Sequence, residues 1–93
     1  MDTLGLTEAD RPLRSKRAAL IDVIFQYFWE GPASPITDMY VEAALKLGAS
    51  TRDVSVVLTF CRYFGTPRNT SIEGLTDLAY DIYEVAHRRM TLH

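Results

Sequence analysis

Cysteine is almost missing from this 93-residue chain. Cys61 stands alone, so no internal disulfide can staple the fold and no cysteine cluster is available for a metal. There is no glycine-rich phosphate loop and no G-x-S-x-G elbow, which removes two common enzyme signatures; no enzymatic activity and no cofactor are expected. Nothing alternates with a period of two over a useful length, so no sheet is expected. Internal repeats and low-complexity tracts are lacking as well. The longest apolar-rich stretch, residues 18–29, is interrupted by Asp22 and Gln26 and is too short to span a bilayer, so no membrane partner is expected. No positively charged leader with an apolar run and a cleavage site opens the chain, and with a single thiol this predicts a cytoplasmic protein. Neither sign of charge dominates. Ten Lys and Arg against twelve Asp and Glu give a net charge of -2 and a pI of about 5.6, which disfavours a non-specific polyanion binder while allowing a regulator with a local basic patch.

The composition that remains is that of one ordinary globular domain, 47% hydrophobic and 24% charged, large enough for a single core. Residues 1–11, with Gly5 and several polar side chains, read as a flexible N-terminal segment, and residues 12–93 as a single helical domain. The basic run RPLRSKR follows, with Arg11, Arg14, Lys16 and Arg17. A first helix is predicted over 12–30, Pro12 fitting the first turn and Gly31, Pro32 and Pro35 ending it. A second begins near 34–38 and ends at Leu47. A third spans 51–64 before Gly65 and Pro67. Thr70 and Glu73 form a capping pair that opens a fourth, 71–90. The fold class is therefore all-α, with four helices. The first helix carries Leu20, Ile21, Val23, Ile24, Phe25, Tyr27, Phe28 and Trp29, more apolar surface than one stripe requires, so it needs either a central position or a subunit interface. The fourth has a stripe at Ile72, Leu75, Ala79, Ile82 and Ala86, with Leu78 and Val85 beside it and an acidic row, Asp77, Asp81 and Glu84, on its other side. Surplus apolar surface on the first helix, together with Phe60, Tyr63 and Phe64, predicts a homodimer.

The stretch TDMYVEAALKLGASTRDVSVVLT, residues 37–59, predicts two short helices joined by a tight turn at Gly48, Ala49 and Ser50. A small residue, Ala44, precedes the turn glycine by four positions and lets the second helix approach closely. Gly48 can take the left-handed conformation that ends the first helix. Val54 follows it by six and returns to a shared core with Val57 and Leu58. Ser50 caps the next helix, and Asp53 three residues on makes an acidic variant of the capping box. In this spacing the chain resembles the broad helix-turn-helix superfamily of small bacterial and phage regulators, over about a quarter of its length.

That resemblance implies a helix-turn-helix-like unit over 37–64 and transcriptional regulation by binding operator DNA, usually as a dimer on two half-sites. It implies a DNA-facing surface of Thr51, Arg52, Ser55, Val56 and Thr59, with Arg62 further along the same ridge. Arg52 can read guanine, the hydroxyls can bond bases or phosphates, and Val56 can touch a thymine methyl. Arg14, Lys16 and Arg17 can supply phosphate contacts if they lie on the same side as that helix.

A second reading keeps the fold and drops the duplex. Val56, Phe60 and Tyr63 form an apolar and aromatic stripe of the kind that more often meets protein than phosphate. With Asp77, Asp81 and Glu84 they would make the interface of an acidic inhibitor or antiactivator that binds a regulator or other protein. Cys61, among Val57, Leu58 and Phe64, reads as a small core residue with no base supplied nearby. Glu84 and His87 have the Glu-x-x-His spacing of di-iron bundles, but a second pair is missing, so they read as a solvated helical pair and no metal is expected.

Overall fold

Among the described residues, each helix begins at a serine. In the computed structural model, which describes residues 15–68 and 70–91, there are four helices and no strand: α1 Lys16–Trp29, α2 Pro35–Lys46, α3 Thr51–Phe64 and α4 Ile72–Thr91. The hydroxyl of Ser15 accepts the Ala18 N–H at 3.1 Å, that of Ser34 the Ile36 N–H at 3.1 Å, that of Ser50 the Asp53 N–H at 3.0 Å, and that of Ser71 the Gly74 N–H at 3.0 Å. A helix start leaves four backbone donors without an intrahelical acceptor, and a serine oxygen takes one of them.

These caps correct three expectations. Ser15 has extended backbone, φ -75° and ψ 166°, so α1 begins at Lys16 and not at Pro12, which lies outside the described residues together with Arg11, Arg14 and the expected flexible segment 1–11. Pro35 does not terminate α1; it opens α2, where its missing donor costs nothing. The fourth cap is Ser71 and not Thr70 with Glu73: the Ser71 carbonyl accepts the Leu75 N–H at 2.9 Å, and this register sets Leu75, Ala79 and Ile82 inward.

The turn between α2 and α3 follows the sequence. Gly48 has φ +110°, the Gly48 N–H donates to the Leu45 carbonyl at 3.1 Å and the Ala49 N–H to the Ala44 carbonyl at 3.0 Å. Both bonds close the end of α2 on its last carbonyls. Ala44 is fully buried, and Val54 and Val57 face inward with Cys61.

The apolar excess of α1 is resolved by position, because α1 packs against α2, α3 and α4 alike. Leu20, Val23 and Ile24 have no solvent exposure, and Phe25, Tyr27 and Phe28 lean against the core. Trp29 is left about half out, stacked on Phe25 at 5.7 Å. The one buried polar side chain among the described residues, Thr37, donates its hydroxyl to the Gly31 carbonyl at 2.7 Å and so ties the start of α2 to the end of α1. The α4 stripe departs from expectation at one end: Ile72, the first residue of the helix, is 58% exposed, and Tyr83 and Met90 complete the buried face. No helix among the described residues is long and apolar enough to cross a membrane.

Replacing Gly48 by valine is expected to cost about 1–3 kcal/mol, since space is open around the position but a β-branched residue is strained at that φ. The check is thermal unfolding, where Gly48→Val should melt below wild type and Gly48→Asn should lie between them.

Candidate interaction surface on the third and fourth helices

Burying Val54, Val57 and Cys61 turns the opposite side of α3 outward. Thr51, Arg52, Ser55, Thr59 and Arg62 are exposed there as the sequence predicts, while Val56 is half-buried. The chain returns antiparallel in α4. Phe64 comes to line a groove with Leu78, Val56 and Phe60 lie near Arg89, and Arg52 reaches Met90.

Several of the polar groups assigned to a duplex are engaged within the protein. Arg52 donates from Nη1 to the Met90 carbonyl at 3.4 Å, at the end of α4 where the helix dipole favours a cation. The Thr59 hydroxyl donates to the Ser55 carbonyl at 2.8 Å along its own helix. Lys16 lies 3.6 Å from the Asp53 carboxylate, which places the start of α1 beside the first turn of α3. Arg17 reaches Glu84 at 3.5 Å and sits over the rings of Tyr80 and Tyr83, 5.6 and 5.4 Å from their centroids. Both cations remain about half exposed. Arg14 lies outside the described residues.

Asp53 is the electrostatic centre of this end. Partial burial of its carboxyl raises its pKa, but the Ser50 N–H at 3.2 Å, the Lys16 ammonium and the Ser50 hydroxyl together outweigh burial and hold it below the usual carboxylate value. Tyr83 is shifted the other way, upward, chiefly by burial, against the lowering influence of Arg17.

The residues of the protein-interface reading are divided. Val56 and Phe60 lean on the core and show only part of their surface, whereas Tyr63 is 84% exposed, edge-on to Phe64 at 6.2 Å. Asp77 and Asp81 stand on one wall of an open groove of about 490 Å³ with Phe64, Pro67 and Leu78. Glu84 is turned to Arg17 and does not share that groove.

One residue of this surface was not foreseen. Arg89 joins Ser55, Val56, Thr59 and Phe60 around a depression of about 260 Å³. The antiparallel return of α4 along α3 is the signal that leads to it, since a short connection sets the last turn of one helix beside the first turns of the other.

Cys61 has no solvent exposure, and burial pushes its thiol up to about 12, with Arg62 pulling weakly the other way. A thiol so placed is protonated and shielded, which suits a core residue and not a nucleophile. His87 stacks on Tyr83 at 5.5 Å, and no group of three potential metal ligands occurs among the described residues. Comparison with protein-family models, with curated proteins and with solved structures found no match.

Two measurements follow from this chemistry. A thiol reagent at neutral pH should leave native Cys61 unmodified over times that suffice to label the unfolded chain; rapid labelling of folded protein would contradict its burial. The depressed pKa of Asp53 means that its contribution is present above the ordinary carboxylate value and is lost as pH falls through the lower, folded value. Removing this carboxylate from the first turn of α3 in Asp53→Ala should cost about 0.3–1 kcal/mol at neutral pH, and the stabilities of variant and wild type should converge in strong acid.

Proposed function

We propose that this chain is a helical protein-interaction module, an acidic inhibitor or antiactivator, acting through the outer face of α3 and α4. The observation that carries the reading is the disposition of charge. Lys16, Arg17 and Arg52, three of the cations a duplex would need, hold Asp53, Glu84 and the end of α4, while Phe64 is exposed in a groove with Asp77 and Asp81 and Tyr63 stands in water edge-on to Phe64. An aromatic anchor flanked by carboxylates suits a partner with a basic, partly apolar surface. The net charge of -2 favours the same class of partner.

A specific observation keeps a second reading, that of a helix-turn-helix transcriptional regulator. Thr51, Ser55 and Arg62 are exposed along α3, and Arg89 adds a cation beside Ser55 and Thr59. A duplex reader on this scaffold would work through Arg62 and Arg89, with Arg52, Lys16 and Arg17 giving up their internal bonds.

Titration of fluorescent duplexes from the promoter region of the source gene separates the two. The interaction reading expects no sequence-specific binding even at low salt, together with recovery of a stoichiometric protein partner that survives nuclease and is lost in Tyr63→Ala. Sequence-specific binding that weakens steeply with salt and disappears in Arg62→Ala or Arg89→Ala would establish the regulator instead.

A further inference from the structure

Along α4, Asp77, Asp81, Val85 and Arg89 follow one another at intervals of four, so they form a single ridge on the helix surface. All four side chains are exposed, Val85 at 38%. The ridge is acidic before Val85 and basic after it. Asp81 and Arg89 are eight residues apart, about 12 Å along the axis at 1.5 Å per residue, too far to pair with each other. Asp77 and Asp81, one turn apart, repel each other mildly. Arg68 lines the groove beside them but makes no ion pair with either, and neither carboxylate has an ion-pair partner within 4 Å among the described residues. The adjoining side of α3 supplies half-buried Val56 and Phe60 next to Arg89, and Phe64 next to Asp81. The isolated fold leaves this arrangement of charge unanswered.

We infer that the ridge pairs with the same ridge of a second copy of this chain, antiparallel about a twofold axis through Val85, so that Asp81 of each copy meets Arg89 of the other. A twofold interface must be its own complement, because one surface patch supplies both sides. An apolar residue with an acid one turn before it and a base one turn after it meets that condition when the helices run in opposite directions. Val85 then packs on its symmetry mate, two ion pairs close around it, and the α3 aromatics add apolar area at the margins. This rests on the reading of α3 and α4 as a protein-interaction face and names one occupant of it.

Charge exchange tests the pairing. Wild-type protein should sediment as a dimer in the micromolar range at low salt. Asp81→Lys sets lysine against Arg89 twice over, and Arg89→Glu sets glutamate against Asp81 twice over, so each variant alone should dissociate at least tenfold more readily while keeping its helical circular dichroism. Mixing the two variants restores attraction at both contacts and should give a heterodimer. The double variant Asp81→Lys/Arg89→Glu should self-associate again. A monomeric wild type, single variants as dimeric as wild type, or a mixture that stays monomeric would each overturn the pairing. None of these three results touches the protein-interaction reading, which fails separately if the promoter duplex is bound sequence-specifically through Arg62 or Arg89.

Discussion

Leu20, Val23 and Ile24 are sealed from water only because three other helices close around α1. Fully burying an aliphatic side chain is worth about 1.5–3 kcal/mol, against about 0–1 kcal/mol for an exposed ion pair. Burial of α1 therefore dominates the fold, and the polar contacts choose among the ways of achieving it. The Thr37 hydroxyl on the Gly31 carbonyl sets how α2 leaves α1, Lys16 on Asp53 brings α3 to the start of α1, and Arg17 over Tyr80 and Tyr83 brings α4 there.

This division of labour bears directly on function. Lys16 and Arg17 look like free surface charge in the sequence, and in the fold they join α1 to α3 and α4. A cation held by a carboxylate or an aromatic face has to give up that contact before it can neutralise a phosphate. Tyr63, Asp77 and Asp81 bear no such obligation. The outer face of α3 and α4 is consequently supplied with apolar and acidic groups first and with cations, chiefly Arg62 and Arg89, second. That balance is why the interaction reading stands ahead of the duplex reader on the same scaffold.

Most of the fold was legible residue by residue. The limits of α2 and α3, the positive φ of Gly48, the pairing of Ser50 with Asp53 and the core position of Cys61 depend on local geometry and on helical periodicity, both written within a few residues. Where two serines or threonines stood close together, as at Thr70 and Ser71, the choice of cap passed to whichever register buried Leu75 and Ala79, and the local pattern chose wrongly. Ile72 was misjudged for a related reason: periodicity identifies a stripe but not where the neighbouring helix stops covering it.

The candidate site was legible in part. The sequence by itself determined which side of α3 faces outward, because Val54, Val57 and Cys61 have to be buried together, and it determined that acids line α4 at helical spacing. Only the tertiary structure decided that Arg89 lies beside Val56 and Phe60, that Arg52 turns to the Met90 carbonyl, and that Lys16 and Arg17 are held. Those partners are separated by 29 to 67 positions in the chain. Helical periodicity relates residues a turn or two apart, whereas contacts at that separation are set by how the helices pack around α1.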